Sequence, residues 1–148
     1  MLLGVIFTLV LIPQCHKIKK VSDELDVEFI NKINALYDNV SAKMDKLQIS
    51  DAISEIFELL RASNKYIDET TPWTLAKDEA LTDRLETVLY NLLEAIRVSA
   101  VLLNPFLTKT SESIFEQINT ECNDLKYNEE NEYSLNKPTA LFMRIDVK

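Results

Sequence analysis

The stretch that decides the fold is ALTDRLETVLYNLLEAIRVSAVLLNP, residues 80–105. Its apolar residues recur at steps of three and four, the spacing that gathers side chains on one face of an α-helix. The apolar set is Leu85, Val88, Leu89, Leu92, Ile96, Ala100 and Leu103. The pattern predicts a helix that begins at Ala80 or Leu81 and is stopped by Asn104-Pro105, because a proline cannot continue a helix and restricts the residue before it.

Two earlier stretches show the same period. The first helix is expected to open at Ser22-Asp23, where acidic residues suit the positive end of the helix dipole, and to end near Gln48. Ser50 is a good N-cap for the second helix, which must end before Pro72. The predicted core faces are Leu25, Phe29, Ile33, Leu36, Val40, Met44 and Leu47 in the first helix, and Ile53, Ile56, Phe57, Leu60 and Ile67 in the second.

The glycine count sets the fold class. The chain has 148 residues, a length that suits one domain, and contains 1 Gly and 4 Pro. Sheet proteins need turn residues, often glycine, about every 8–12 residues, so an all-β fold is excluded. A single glycine also excludes a glycine-rich phosphate loop. A connection is expected from Trp73 to Asp78, and a short fourth helix from Ser111 to about Ile118. The sequence therefore predicts an all-α, antiparallel helical bundle with an irregular C-terminal tail.

Charge and rare residue types narrow the possible functions. Lys+Arg number 16 against 24 Asp+Glu, a net charge of −8, which argues against a free-standing, non-specific nucleic-acid binder. Two cysteines, Cys15 and Cys122, are too few for a disulfide scaffold and favour a reduced intracellular compartment. The single histidine, His16, leaves no zinc quartet, and its pairing with Cys15 lacks the third group that nucleophilic catalysis needs. No metal or cofactor is expected in this chain.

Residues 1–20 form an atypical apolar segment. Met1 to Pro13 is almost wholly apolar, yet it is too short to span a bilayer, which needs about 20 residues, so no membrane partner is expected. One interpretation is a buried terminal helix or strand. A second is a secretory signal, although no Lys or Arg precedes the apolar run and no small-residue cleavage site follows it. The predicted bundle then occupies residues 21–118.

Residues 119–148 change character again. They are read as an acidic linker followed by a C-terminal arm. The linker is expected to be solvated and mobile, because its charges are mostly acidic and apolar residues are sparse. Its acidic residues are Glu121, Asp124, Glu129, Glu130 and Glu132. The last ten residues regain apolar content and are expected to fold back as an extended arm.

One aromatic residue stands out as a candidate binding group. Trp73 is the single tryptophan and directly follows Pro72, at the turn after the second helix. It is either a hydrophobic plug that caps the bundle or a stacking platform. An indole held by a rigid proline offers a flat face to an unpaired base, which is how single-stranded RNA loops are recognised.

Basic residues flank this turn. Arg61 and Lys65 are four residues apart and share a helix face, and Lys77 follows the turn. Arg84 and Arg97 lie further along the third helix. Together they predict a local basic strip that could meet phosphates despite the global negative charge.

The stretch NKYIDETTPWTLAKD, residues 64–78, resembles a motif of methionyl-tRNA synthetases. In that family it lies between two helices of the C-terminal anticodon-binding domain. The similarity continues through LETVLYNLLEAIR (85–97), LNPFL (103–107) and LFMRI (141–145), and covers roughly residues 21–148. The resemblance implies a helical bundle that binds the CAU anticodon of tRNA(Met), with the Trp73 indole stacked on an anticodon base.

Two departures from the family pattern qualify this expectation. The His-Ile-Gly-His and Lys-Met-Ser-Lys-Ser signatures of the class I catalytic domain, which hold ATP and the adenylate, do not occur. The resemblance therefore implies ATP binding for the missing catalytic domain and not for this chain. The chain by itself is expected to be inactive as a ligase. The family also has Gly-Asn-Leu-x-x-Arg-Thr near the start of the bundle, where Asn and Arg contact the anticodon. Here the corresponding residues run from Gly4 to Leu9 and contain neither.

The second departure has a possible mechanical cause. Suitable codons can be chosen for Gly4 to Leu11 such that a shifted reading frame encodes a different peptide. In that frame, the last base of each codon is read with the first two bases of the next, and the peptide is Gly-Asn-Leu-Tyr-Ser-Arg-Thr. We therefore hypothesise that residues 1 to about 18 are a frameshifted version of the family's first bundle helix. The chain would then be a gene fragment whose upstream catalytic part lies in another frame.

The expected function is tRNA anticodon recognition, as the anticodon-binding part of a methionine–tRNA ligase in the cytoplasm. The expected partners are the anticodon stem-loop of tRNA(Met) and a separate synthetase catalytic domain. The expected nucleic-acid-binding residues are Trp73, Pro72, Arg61, Lys65 and Lys77. The alternative is a helical protein-interaction module without RNA function, which the charge of −8 and the missing Asn/Arg pair favour.

Overall fold

The structure is a computed structural model and describes residues 23–136 and Leu141. Between residues 23 and 136 it contains helices α1 (Glu24–Met44), α2 (Ile49–Thr70), α3 (Pro72–Leu75), α4 (Thr82–Leu103) and α5 (Thr108–Ile118), with a 3-10 turn at Glu79–Leu81. The prediction of an all-α bundle is confirmed. The interpretations of residues 1–20, including the frameshift hypothesis and the Cys15–His16 pair, fall outside the described residues.

Local sequence signals explain where the first helices begin. Asp23 caps α1: its side chain accepts hydrogen bonds from the backbone N–H groups of Leu25 and Asp26, and the Asp26 carboxylate in turn accepts one from the backbone N–H of Asp23. This reciprocal capping box satisfies donors that have no partner inside the helix. The expectation that Ser50 caps α2 is wrong, because the first helical hydrogen bond already runs from the Ala52 N–H to the Gln48 carbonyl, at 3.0 Å.

The bundle is antiparallel and is built around α4. The start of α1 lies beside the end of α2 and the start of α4, because Asp26 contacts both Tyr66 and Arg84. Every residue of α4 from Thr87 to Ala100 is buried, so this helix is central rather than amphipathic. The helices α1, α2 and α5 pack around it through a shared apolar core.

Most of the residues predicted to face the core are at least partly buried, but the prediction is wrong for Met44, Leu47 and Phe57. Phe29, Ile33, Leu36 and Val40 of α1 are buried, but Met44 is exposed. α1 ends at Met44 rather than near Gln48, and Leu47 lies in the following turn, where its side chain is 85% exposed. Phe57 of α2 is 38% exposed and lies at the edge of the core, where it lines a small apolar pocket with Leu60 and Ile96.

The segment of residues 120–136, called here the tail segment, contacts the core. It has no regular helix, yet Tyr133 is buried and Leu125, Tyr127 and Leu135 pack against the core. The segment is therefore held on the core by its apolar side chains, while the five acidic residues named above are exposed to solvent. Leu141 also packs against the core, as a returning C-terminal arm would require at that residue.

Candidate nucleic-acid interface

The end of α2 presents the single tryptophan to solvent. Helix α2 ends at Thr70, and the four-residue helix α3 begins at Pro72, so that Trp73 lies in the first turn of α3. Its side chain is 47% exposed, whereas the preceding residue, Pro72, is buried. At this end of the bundle, Pro72 rather than the indole therefore fills the core. Residues 73–78 connect α2 to the 3-10 turn before α4, as predicted, and α3 occupies the first part of this connection.

A left-handed residue joins α2 to α3. Thr71 has φ 43° and ψ 60°, ends α2 through its N–H bond to the Ile67 carbonyl, and is the N-cap position of α3. Its carbonyl accepts the Thr74 N–H at 2.8 Å. A proline at the first helical position suits the turn, because its missing N–H would have no partner inside the helix. The result is a short, closed turn that carries the indole.

Three cations line a groove between α1 and α2. Arg61 and Lys65 of α2 share it with Lys32 of α1, and the groove has a volume of about 470 Å³. We call the groove lined by these three residues the cation groove. Sequence reasoning found Arg61 and Lys65 but missed Lys32, which only the packing of α1 on α2 brings to the same place.

Each cation of the groove is paired with a neighbouring carboxylate. Lys32 bonds to Glu28 at 2.6 Å, Arg61 to Glu58 at 2.6 Å, and Lys65 lies 3.5 Å from Glu69. Hydrogen bonds from Lys32 and Arg61 lower the pKa of Glu28 and Glu58 below their usual values. The pairs are exposed and weak, but they make the predicted basic strip a face of alternating charge.

The other predicted cations divide into one exposed residue and two structural ones. Lys77 is exposed four residues after Trp73, and among the residues that the structure describes it forms no ion pair. Arg84 is mostly buried against Asp23 and Asp26. Arg97 is fully buried. Arg84 and Arg97 are therefore excluded from the strip, because their guanidinium groups are already committed to the fold.

Arg84 belongs to a polar network beside the Trp73 turn. It donates to Asp26, which also accepts the Tyr66 hydroxyl. Asn91 of α4 donates to that hydroxyl at 3.0 Å and accepts the Tyr127 hydroxyl at 2.7 Å. Burial opposes ionisation of Asp26, but hydrogen bonds from Arg84 and Tyr66 outweigh it, and the pKa of Asp26 lies below its usual value. The network ties α1, α2, α4 and the tail segment together.

A second polar cluster holds the tail segment on α4. Glu94 and Arg97 are both fully buried and paired at 2.7 Å. Arg97 also donates to the backbone carbonyls of Asp124 and Lys126. Glu94 accepts the Asn128 N–H at 2.7 Å, the Asn131 side-chain amide at 2.9 Å and the Tyr133 hydroxyl. Both charges are thus compensated by several hydrogen bonds, as burial requires.

Metal sites and membrane-spanning helices are absent from the part of the chain that the structure describes. Among residues 23–136 and Leu141, no grouping of His, Cys, Asp and Glu has the arrangement of a metal site. Within the same part of the chain, none of the helices is long and apolar enough to cross a membrane. What the surface presents is an exposed indole on a fixed turn, with mixed charges beside it.

A family model decides the classification. The model of the anticodon binding domain of methionyl tRNA ligase matches residues 12–145. The chain belongs to this family. The family assignment covers most of the chain and agrees with the resemblance of residues 64–78.

Curated relatives are longer proteins that contain this domain. The methionine–tRNA ligase of Caldanaerobacter subterraneus subsp. tengcongensis is 43% identical over 132 residues, which cover 85% of this chain and 21% of that protein. The methionine–tRNA ligase of Bacillus subtilis is 51% identical over 83 residues, covering 56% of this chain and 12% of that protein. The anticodon-binding domain described here thus spans about a fifth or less of the length of these relatives.

Solved structures share the fold. Mycobacterium tuberculosis methionyl-tRNA synthetase in complex with methionyl-adenylate superposes with a TM-score of 0.82 at 22% identity, covering 95% of this chain and 29% of that one. Its apo form gives a TM-score of 0.79, also at 22% identity, over 91% of this chain and 28% of that one. The bundle architecture is therefore that of the synthetase's corresponding domain.

Of the two residues that anchor the tail segment in this anticodon-binding domain, sequence reasoning missed Glu94 and assigned Arg97 to the basic strip. Glu94 and Arg97 are three residues apart inside a helix whose other central positions are almost all apolar. Opposite charges at that spacing in such a helix indicate a buried pair. Their backbone partners lie about thirty residues away in an irregular segment, and no local pattern reveals them.

Proposed function

We propose that the chain binds the anticodon loop of tRNA(Met), with Trp73 as the stacking platform. The observation that carries the proposal is the half-exposed indole fixed on buried Pro72 at the end of α2. An exposed ring on a closed turn has little freedom to lose when a base stacks on it. Stacking of this kind contributes about 1–3 kcal/mol per base.

Basic side chains would support the loop through its phosphates. Lys77 lies on the same connection as Trp73. Lys65 lies five residues before Thr70, about 7.5 Å along α2 at the usual helical rise, and Arg61 lies one turn further back. In this arrangement a phosphate backbone that leaves the stacked base meets Lys65 before Arg61. Phosphate contacts of this kind orient the RNA and carry no sequence information.

Discrimination between anticodons is expected to be weak. The resemblance assigns anticodon contacts to an Asn and an Arg, and the corresponding stretch from Gly4 to Leu9 has neither. Stacking tolerates every base, because every base has a π-face. Trp73 therefore supplies affinity, and base-specific hydrogen bonds would have to come from elsewhere.

We further propose that the chain acts in the cytoplasm together with a separate synthetase catalytic domain. The relatives named above are methionine–tRNA ligases of which this chain matches 21% or less. Aminoacylation and the use of ATP would belong to that partner. The chain itself would contribute tRNA binding.

An electrophoretic shift assay tests the main proposal. The chain is titrated with tRNA(Met) and with the same tRNA carrying a substituted anticodon, at low and at physiological salt. The proposal expects weak binding that is steeply salt-dependent, with at most a small preference for the unsubstituted anticodon. Binding that does not respond to salt, or no binding at low salt, would contradict it.

The alternative function is a helical module that binds another protein. Pairing of Lys32, Arg61 and Lys65 with carboxylates, together with the net charge of −8, favours this alternative. The two functions differ in their response to salt. Loss of RNA binding at every salt concentration, with recovery of a partner protein by the Trp73 surface, would support the alternative.

A further inference from the structure

Three described residues other than glycine adopt a left-handed backbone conformation. Leu47 has φ 59°, Thr71 has φ 43° and Asn119 has φ 47°. Asparagine tolerates this region well, and leucine does so less well. Thr71 is the least suited of the three, because it is β-branched and because the proline that follows further restricts its backbone.

The neighbours of Thr71 hold it in this conformation from both sides. On the α2 side, its N–H donates to Ile67 at 2.9 Å, and the buried Thr70 hydroxyl donates to the Tyr66 carbonyl at 2.7 Å. On the α3 side, Pro72 is buried. An unfavourable backbone conformation persists only when the surrounding structure determines it in this way. Such conformations cluster at functional sites.

We propose that Thr71 is the residue that positions the Trp73 indole. Its left-handed conformation turns the chain between α2 and α3, so that Pro72 enters the core and the next side chain leaves it. Because threonine has less backbone freedom than glycine, the turn holds one conformation and the indole one direction. The consequence for RNA rests on the proposed function, whereas the consequence for the indole does not.

The single tryptophan allows the positioning to be measured without RNA. The fluorescence of the unmodified chain reports Trp73 alone, since the sequence contains 1 Trp. Time-resolved anisotropy gives the amplitude of fast indole motion in the native chain and in Thr71→Gly, Thr71→Asn and Leu47→Gly. Leu47→Gly is the matched control, because it changes another left-handed residue at the opposite end of α2.

Thr71→Gly is expected to increase the fast motion of the indole, because glycine visits positive and negative φ about equally. Thr71→Asn keeps a residue that accepts the left-handed region, so the indole stays ordered while the melting temperature rises. Leu47→Gly changes the melting temperature and leaves the anisotropy decay as it is. An unchanged decay in Thr71→Gly, or equal indole motion in the Gly and Asn variants, would overturn the proposal.

Binding of a tRNA(Met) anticodon stem-loop to the same variants separates the two proposals. Thr71→Gly is expected to weaken binding about fivefold or more, because binding must then order one extra backbone residue and loses conformational entropy. Thr71→Asn is expected to bind with the affinity of the native chain. If Thr71→Gly mobilises the indole and leaves RNA affinity unchanged, the positioning role stands and stacking on Trp73 is contradicted. If neither the indole nor the affinity responds, the positioning role fails while the proposed function stands.

Discussion

The protein uses aromatic rings in two contrasting ways, at the Trp73 turn and in the tail segment. Tyr90 meets Tyr127 and Tyr133 edge to face, with ring centroids 6.0 and 5.7 Å apart, and all three hydroxyls form hydrogen bonds. Trp73 is half-exposed, and among the described residues no ring stacks on it. Rings that build the fold are satisfied inside it, whereas Trp73, the most exposed aromatic ring among the described residues, is available to a ligand.

The charged residues of the same two regions show a parallel contrast. The Glu94–Arg97 pair is fully buried and bound to the backbone of the tail segment, whereas Arg61 and Glu58 form an exposed pair on one turn of α2. A buried charge that loses its partner is strongly destabilising, whereas an exposed pair contributes little. The first pair is therefore expected to govern stability, and the second to be free to exchange its partner for a phosphate.

The largest expected effect is the loss of the buried pair. Arg97→Ala leaves the Glu94 carboxylate buried without its cation and frees the tail segment, so the free energy of unfolding is expected to fall by about 3–5 kcal/mol. Urea denaturation followed by circular dichroism measures the change. Arg61→Ala is the control and is expected to have no measurable effect on stability. Similar midpoints for the two variants would show that the contrast in burial has no energetic consequence.

Removal of the exposed ring is expected to affect binding rather than folding. Trp73→Ala should weaken the binding of a tRNA(Met) anticodon stem-loop by about 1–3 kcal/mol, because one stacked base loses its platform. The unfolding midpoint should change little, since Pro72 rather than the indole fills the core. Trp73→Phe keeps a π-face and should recover part of the affinity. An affinity unchanged in the alanine variant would contradict the stacking role.

High pH should destabilise the fold, including the contacts that hold the tail segment. Burial, reinforced by nearby Glu94 or Tyr90, raises the pKa of Tyr90, Tyr127 and Tyr133 well above the usual value of about 10. The unfolded chain then loses these protons first. Stability is complete below about pH 10 and falls as pH rises through the folded-state pKa values, by about 1.4 kcal/mol per tyrosine for each pH unit.

Denaturation at increasing pH measures this slope. Tyr133→Phe should make the slope shallower, because one buried phenol no longer titrates. The same substitution leaves an acceptor oxygen of Glu94 with one donor fewer, so stability near neutral pH should fall as well. A slope identical to that of the native chain would show that Tyr133 ionises equally in both states.

Much of the fold could be predicted from the sequence, because helical periodicity is a local signal. The apolar stripes predicted the three long helices, the short fourth helix was expected to begin three residues later than α5 does, and Asn104-Pro105 marked the end of α4 within a residue. Errors lie where a tertiary contact or an unusual backbone conformation decides the outcome. Left-handed Leu47 ends the first stripe early, and the tail segment is ordered by side chains of α4 that lie far from it in sequence.

The candidate site was predictable in part for the same reason. Trp73 followed from its position after Pro72, because a proline-tryptophan pair at a helix end is a local feature. Lys32 did not, because it joins the cation groove through the packing of α1 on α2. The roles of Arg84 and Arg97 were misjudged as surface contacts, since a charge on a helix shows its face only when the partner helices are known.

The smallest expected effect concerns the competition between carboxylates and phosphates in the cation groove. Glu58→Gln removes the partner of Arg61 without changing the shape of the side chain. If Arg61 contacts a phosphate, this variant should bind the anticodon stem-loop slightly more tightly. Arg61→Gln should bind all tRNAs more weakly and reduce the slope of log affinity against log salt by up to about 1.

Glu55→Gln is the matched control for that competition. Glu55 lines the same groove, and the described residues include no cation paired with it. Glu55→Gln therefore changes the net charge by the same amount as Glu58→Gln does. Unlike Glu58→Gln, it does not release Arg61 from its partner. A specific phosphate contact predicts a larger gain in affinity for Glu58→Gln than for Glu55→Gln. It also predicts that the excess disappears when Arg61→Gln is added, because two groups that share one interaction are not additive. Equal gains in affinity would indicate that the groove acts on RNA through general electrostatic attraction alone. The Trp73 turn would then be the part of the surface that contacts RNA.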